Sequence, residues 1–259
     1  AFYRFFGTDR EIPGNLNCVE SITLSSVYYM IIGLMQRDLM INEGCYRPIK
    51  VKIPRGTILN AQKPKAVVAG NVETSQRIVD VLMDAFSKIV PERVIAQSQG
   101  TMNNIIIGRY YKNKSFTYYE TIGGGTGASL FNDGESGVHC HMTNTLNTPV
   151  EALETEYPLR VLRYSLRDNS GGSGNYKGGN GIIREIQVLT DCIISIISER
   201  REIAPKGLFG GQDAKKGVNL LNGKEIPGKC TLKLKKDDII TIETPGGGGC
   251  SNNVPNRKL

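Results

Sequence analysis

Hydrophobic and polar residues follow a helical period in two parts of the chain. Within residues 71–91, apolar side chains recur every three or four positions, namely Ile78, Leu82, Phe86 and Ile89. This spacing predicts an amphipathic helix, with Asn71 as its N-cap and Pro91 as its stop. The compact apolar run of residues 23–35 predicts a second, buried helix.

Other segments alternate with the period of two that is typical of strands. Ile49, Val51 and Ile53 alternate in this way, and residues 2–6 are aromatic and strand-like. The later part of the chain contains short apolar segments between glycine clusters, at residues 181–189, 192–198, 231–234 and 239–243. We expect the last two segments to form a hairpin-like pair and Asn222-Gly223 to form a tight turn.

These patterns predict an α+β fold. A mixed α/β first part, residues 1–160, is followed by a β-rich, glycine-rich C-terminal part, residues 161–259. The strand-like opening has no initial methionine, so we expect the chain to begin inside a longer protein.

Composition excludes several classes of protein. The 259 residues carry a formal net charge of +7 and are 39% hydrophobic, which suits a folded core rather than a disordered chain. The longest apolar stretch, residues 27–35, is far shorter than the roughly twenty residues of a membrane span. Nucleic-acid binding is disfavoured because the densest basic stretch, residues 229–236, alternates Lys with Leu like the solvated face of a hairpin.

Six cysteines are scattered along the chain without a Cys-x-x-Cys pair. This arrangement excludes a zinc ribbon and favours reduced thiols in a cytoplasmic protein.

Fourteen of the thirty glycines fall in four clusters, at residues 123–127, 171–174, 178–181 and 246–249. Such clusters can form tight turns, or they can bring bare amides close to a ligand or to another chain segment. Residues 223–230 have the spacing of a P-loop, but Cys230 replaces its Ser or Thr, a proline interrupts it, and a strand-like segment follows. The sequence therefore predicts no ATP site on this chain.

The two histidines of the protein, His139 and His141, lie two residues apart in a polar segment. If this segment is extended, both imidazoles point to one face, where they could bind a metal ion or transfer protons. A carboxylate such as Glu151, Glu154 or Asp133 would complete either a metal site or a proton-transfer site. Alternatively, both histidines form hydrogen bonds within the fold, and neighbouring side chains such as Asn144 form hydrogen bonds with the backbone of a loop.

Nine segments together form a recognisable series, at residues 42–49, 68–76, 99–104, 119–125, 139–145, 147–151, 168–172, 199–200 and 244–249. They include Gly70-Asn71-Val72-Glu73-Thr74, His139-Cys140-His141-Met142-Thr143-Asn144 and Thr244-Pro245-Gly246-Gly247-Gly248-Gly249. In this order the segments resemble the hydantoinase B/oxoprolinase family. The resemblance covers nearly the whole chain and identifies it as the C-terminal half of a B-type subunit.

The resemblance implies an ATP-dependent hydrolase that opens cyclic amides such as hydantoins, 5-oxoproline or lactams. ATP would bind to an A-type partner subunit, and the missing N-terminal half of the B-type subunit would hold most of a divalent metal site, so we assign no metal ligands here. Two alternatives stay open: a subunit of an ATP-dependent carboxylase for ketones such as acetone or acetophenone, and a structural half without catalytic residues.

The resemblance also implies a set of site residues. We expect His139, His141 and Glu151 to be catalytic. Residues expected to bind the cyclic amide are Gly123, Gly124, Gly125, Asn144 and Asn71. The expected assembly is a cytoplasmic hetero-oligomer without nucleic acid and without a membrane.

Overall fold

The structure, a computed structural model, describes residues 2–35, 40–109 and 115–254. The helices are α1 (Glu20–Leu34), α2 (Glu43–Tyr46), α3 (Ser75–Ser87) and α4 (Val150–Glu156). The strands are β1 (Phe2–Arg4), β2 (Lys50–Lys52), β3 (Asn104–Arg109), β4 (Phe116–Thr121), β5 (Leu159–Arg167), β6 (Gly181–Val188), β7 (Cys192–Ile197), β8 (Val218–Leu221), β9 (Lys224–Ile226), β10 (Lys229–Leu234) and β11 (Ile239–Glu243). No helix in these ranges is both long enough and apolar enough to cross a bilayer.

Both predicted helices are confirmed, as α1 and α3, and they pack against each other beside the parallel pair β1–β2. Val27 and Met30 of α1 share a core with Ile78 and Leu82 of α3. Burying these apolar stripes against one another stabilises the first part of the chain.

The predicted cap of α3 is wrong. A π-helical turn, Gly70–Thr74, leads directly into the helix, and Ala69 precedes this turn without a side-chain cap. Asn71 therefore lies inside the helical stretch, where its carbonyl accepts a hydrogen bond of 2.6 Å from Ser75 Oγ. The helix ends at Ser87, before Pro91, which begins a short 3₁₀ turn.

Two antiparallel sheets pack face to face, which confirms the α+β fold. The four-stranded sheet has the order β10-β7-β3-β4, and the five-stranded sheet has the order β5-β6-β11-β8-β9. Alternate side chains from both sheets fill one core, including Ile105 of β3, Ile194 of β7, Ile186 of β6 and Ile240 of β11. This alternation is the expected pattern for strands with one buried face.

The predicted hairpin between residues 231–234 and 239–243 is wrong. Strand β10 pairs with β7, whereas β11 pairs with β6 and β8 in the other sheet. The link between them turns at Asp237, which has a φ of +73°, and carries the chain across the core. The two strands place Leu234 and Ile240 in the same core from opposite sheets, so their apolar alternation could not distinguish a hairpin from this arrangement.

The tight turn at Asn222-Gly223 is confirmed, with φ values of +50° and +77°, and it joins β8 to β9. Residues 223–230 thus lie in β9 and the start of β10 rather than at the N-terminus of a helix. The four-stranded sheet combines β3 and β4, which precede residue 160, with β7 and β10, which follow it. A division into parts at residue 160 stays a prediction.

The glycine clusters pack mainly on one another. We call residues 123–127, 170–181, 205–212 and 245–250 the glycine bundle, because their backbones lie side by side and exchange hydrogen bonds. For example, Gly172 N donates to Gly247 O at 2.9 Å, and Gly247 N donates to Gly179 O at 2.9 Å. A Cβ on Gly125 or Gly178 would lie 1.9 or 1.8 Å from a backbone oxygen, so only glycine fits these positions.

Candidate functional site

The histidine segment, residues 138–147, begins beside the glycine bundle. Val138 and Gly124 exchange backbone hydrogen bonds of 2.8 and 2.9 Å, which places the Gly123–Gly125 cluster next to His139. The chain then turns at His141, whose φ is +57°. Because the segment is not extended through this turn, the two histidines have different surroundings and do not share one face.

His139 belongs to a chain of hydroxyl and amide hydrogen bonds at the end of β4. Its Nε2 lies 3.2 Å from Thr145 Oγ1, which lies 2.6 Å from Thr121 Oγ1. Burial lowers the pKa of His139, and the negative charge of Glu120 opposes this shift. A neutral imidazole in this position can accept a proton or a hydrogen bond.

Two further side chains extend this chain of contacts. Asn147 Nδ2 donates to Thr121 O at 3.0 Å, and Tyr164 OH donates to Asn147 Oδ1 at 2.8 Å. We call His139, Thr145, Thr121, Asn147 and Tyr164 the histidine network. It joins the histidine segment to β4 and β5.

Beneath the histidine network lies a buried ion pair between the two sheets. Arg184 of β6 donates to both carboxylate oxygens of Glu120 of β4, at 3.3 and 3.1 Å. Both side chains are almost fully buried, and the guanidinium of Arg184 lies 4.6 Å from the ring centroid of Tyr164. This pair joins β4, which carries Thr121 of the network, to β6, the strand that pairs with β5.

His141 lies instead in an apolar groove of about 440 Å³. Its ring meets the ring of Tyr29 edge to face, with centroids 6.1 Å apart. Nε2 is buried and makes no hydrogen bond within the described ranges, and burial lowers the pKa of His141 to about 4. At neutral pH this imidazole is therefore uncharged.

The other predicted site residues have simpler environments. Gly124 N donates to Val138 O and Gly125 N donates to Pro245 O. Both amide groups therefore already have backbone hydrogen-bond partners. Asn71, Asn144 and Glu151 are exposed, and in the described part of the chain no hydrogen bond joins their side chains to His139. Their roles in substrate binding or catalysis stay predictions.

The described residues do not form a metal site by themselves. No three His, Cys, Asp or Glu side chains in these ranges are grouped as metal ligands. Cys140, which separates the two histidines, is buried, and burial raises the pKa of its thiol to about 12. At neutral pH this thiol is therefore protonated.

A buried carboxyl that the sequence did not reveal is Glu73, in the π-helical turn before α3. Its Oε1 accepts hydrogen bonds from Asn104 Nδ2 at 2.8 Å and Met102 N at 3.2 Å, while Oε2 has no partner with hydrogen-bond geometry. Burial raises the pKa of Glu73 to about 8. In the sequence, Arg77 follows four residues later, which resembles an ordinary exposed ion pair and gives no sign of burial.

Replacing Glu73 with Gln should make stability less dependent on pH. Burial raises the pKa of Glu73 to about 8 in the folded protein, whereas the unfolded chain releases this proton near the ordinary glutamate pKa of 4.5. The wild type is therefore most stable below the unfolded pKa and loses stability as pH rises toward 8. We expect Glu73→Gln to gain about 1–3 kcal/mol over the wild type across this interval, in denaturant unfolding of the complete protein.

The matched control for this prediction is Glu156→Gln, which changes an exposed glutamate at the end of α4. Its unfolding free energy should follow the wild type at every pH. Parallel pH profiles for Glu73→Gln and the wild type would show that Glu73 is ionised in the folded protein.

Comparison with known proteins gives the chain a family. The profile of the hydantoinase B/oxoprolinase family matches residues 1–253. 5-Oxoprolinase 1 of Arabidopsis thaliana is 44% identical over 259 residues, an alignment that covers 98% of this chain and 20% of the plant protein.

Two solved structures have the same fold. The ATP-dependent caprolactamase from Pseudomonas jessenii matches with a TM-score of 0.81 and 24% identity, over 96% of this chain and 46% of that chain. The nucleotide-free structure of acetone carboxylase matches with a TM-score of 0.79 and 20% identity, over 96% of this chain and 39% of that chain. The present sequence thus spans about a fifth of the plant relative and less than half of each structural neighbour, and it belongs to the hydantoinase B/oxoprolinase family.

Proposed function

We propose that this chain is the C-terminal part of a B-type subunit of an ATP-dependent cyclic amide hydrolase, which opens hydantoin, 5-oxoproline or lactam rings. The observation that carries the proposal is the 44% identity to a 5-oxoprolinase across 98% of the chain. The fold shared with an ATP-dependent caprolactamase is consistent with it.

In this proposal the remaining parts of the reaction lie on other polypeptide segments. The described residues form neither a phosphate-binding loop before a helix nor a group of metal ligands. We therefore assign ATP to an A-type ATP-binding subunit and a divalent metal mainly to the N-terminal half of the B-type subunit. Six free thiols support a reducing, cytoplasmic setting for this hetero-oligomer.

The histidine network is the part of this chain that we place at the reacting amide. His139 is a neutral imidazole with a hydroxyl partner, and it can accept a proton during water attack or donate one to the leaving nitrogen. His141 and Glu151 are retained as proposed catalytic residues. The glycines at 123–125, Asn144 and Asn71 are retained as proposed substrate-binding residues.

A second candidate is a subunit of an ATP-dependent ketone carboxylase for substrates such as acetone or acetophenone. The observation that favours it is the match to acetone carboxylase over 96% of this chain. A third possibility is that the chain is a structural half whose partners hold every catalytic group.

One assay separates these candidates. The complete protein, purified with its natural partners, is incubated with ATP and either 5-oxoproline, hydantoin or caprolactam, and separately with acetone and bicarbonate. The proposal expects ADP release coupled to ring-opened product with a cyclic amide. ADP release that requires acetone and bicarbonate would support the carboxylase, and no turnover with any substrate would contradict both enzymes.

A further inference from the structure

One side chain of α3 holds the turn of the histidine segment from outside. Gln76 Nε2 donates a hydrogen bond of 3.1 Å to the backbone oxygen of Cys140, which lies 64 residues later in the chain. In the described ranges no other hydrogen bond joins an α3 side chain to residues 138–147. This bond therefore connects the first core to the histidine segment.

The carbonyl of Cys140 begins the turn that separates the two imidazoles. Thr143 N also donates to it, over a longer distance of 3.4 Å, and His141 inside the turn has a φ of +57°. His139 directly precedes Cys140, and His141 directly follows it. Because the peptide group is planar, the orientation of this carbonyl determines how the chain places both rings.

The backbone of Gln76 lies on a rigid element. It belongs to the first turn of α3, two positions before Ile78, which packs in the first core. The preceding residue, Ser75, donates from Oγ to Asn71 O at 2.6 Å. A donor on a packed helix can hold another segment in one position, whereas a donor on a loop cannot.

Packing alone does not explain a glutamine at position 76. The side chain of Gln76 is fully buried, yet its Oε1 makes no hydrogen bond within the described ranges. A buried acceptor without a partner lowers stability, and a methionine of similar shape would avoid this cost. The bond to Cys140 O is the property that a methionine could not supply.

We propose that Gln76 is a positioning residue, whose amide holds the turn at Cys140 and thereby sets the placement of the imidazoles of His139 and His141. No hydrogen bond joins Gln76 to either ring in the described part of the chain, so it acts through the backbone of the turn. Its effect on turnover rests on the proposed function, whereas its effect on the geometry of the turn does not.

The first test is ATP-dependent ring opening by the complete protein with its partners. Gln76→Met keeps the shape of the side chain and removes the donor, so we expect kcat to fall by about 10- to 100-fold with little change in KM. Its unfolding midpoint should stay close to that of the wild type, because methionine fills the same space. The control Gln212→Met, at an exposed glutamine, should turn over like the wild type.

Gln76→Glu distinguishes positioning from packing by its pH dependence. A protonated carboxyl can donate to Cys140 O, whereas an ionised carboxyl can only accept. Burial raises the pKa of such a carboxyl, so the ratio of variant to wild-type kcat should approach unity near about pH 6 and fall toward about pH 9. Both proteins share the other charged or titratable groups around this contact, so the ratio largely removes their titrations; these are Cys140, Asp80 with Arg77 and Arg200, His141 and Tyr29.

Modification of His141 by diethyl pyrocarbonate reports on the turn without turnover. The reagent attacks neutral imidazole, and Nε2 of His141 is buried in the wild type. Releasing the turn in Gln76→Met should raise the modification rate by about 2- to 10-fold, the factor expected for loss of one hydrogen bond. Tandem mass spectrometry of the labelled peptide distinguishes His141 from His139.

Two results would overturn the inference in an active enzyme: a wild-type kcat in Gln76→Met, or a kcat ratio of Gln76→Glu that does not depend on pH. The second result decides if Gln76→Met does not fold. If the wild type opens none of the cyclic amides, the hydrolase proposal fails and the modification rate decides. A raised rate in Gln76→Met then supports the positioning role alone, and an unchanged rate rejects it.

Discussion

Replacing Arg184 with Met should lower the free energy of unfolding by about 3–5 kcal/mol. The substitution leaves the carboxylate of Glu120 buried between the two sheets without its partner. A buried, unpaired charge is far more costly than a lost contact at the surface, because neither water nor a counter-charge stabilises it. The measurement is denaturant unfolding of the complete protein at neutral pH.

A matched control and a double variant make this prediction specific to the ion pair. Arg160→Met changes an exposed arginine on the neighbouring strand β5 and should alter stability by about 0.5 kcal/mol or less. Adding Glu120→Gln to Arg184→Met removes the orphaned charge and should recover much of the loss. If Arg184→Met unfolds like the wild type, the pair is solvated or Glu120 takes up a proton at little cost.

The periodicity of apolar residues predicted both long helices and about half of the strands, because burial on one face dictates that periodicity, but it did not reveal β3, β4 and β5. Ile78 and Leu82 recur at helical spacing and pack in the first core. Ile182 and Ile186 alternate along β6 and face the second core. The pairing of strands was harder to predict from the sequence. Strands β10 and β11 have hairpin-like alternation although they belong to different sheets. Apolar alternation specifies which side of a strand is buried but not which strand lies beside it.

Polar residues within these patterns were the informative exceptions. Arg184 occupies an inward position of β6 between Ile182 and Ile186, so the register of this strand already indicated a buried charge that needs a partner. Its partner, Glu120, alternates in the same way with the buried Tyr118 of β4. Arginine at a buried strand position is therefore a signal in the sequence, but only the structure identifies Glu120 as the group that compensates it.

The candidate site was predictable in position more than in geometry. The sequence itself singled out His139 and the glycines at 123–125, the resemblance assigned them roles, and the structure places these segments side by side. The sequence could not indicate the turn at His141. A φ of +57° is unusual for a residue other than glycine, and no neighbouring residue signals it. Glu73 was missed for a related reason: its burial depends on Asn104 and Met102, thirty residues later in the chain.

Replacing His139 with Ala in the complete enzyme should reduce kcat by about 10²- to 10⁴-fold, the range typical for loss of a general acid or base. Thr145 lies next to the imidazole and is itself held by Thr121, so we expect this hydroxyl pair to stay in place when the ring is removed. KM should change little if the histidine acts on the reacting amide rather than on substrate binding. The assay is ATP-dependent ring opening, with ADP and product measured together.

A positioning variant and a second histidine variant test whether this loss is chemical. Thr145→Val removes the hydroxyl next to His139 Nε2 and should shift the pH profile of kcat, whereas Thr145→Ser should preserve it. His141→Ala removes a neutral imidazole from the apolar groove near Tyr29, and its proposed catalytic role requires a comparable loss of turnover. Full activity in His139→Ala and His141→Ala, with intact assembly, would mean that the catalytic groups lie on the partner segments. The histidine network would then serve to hold β4 and β5 together.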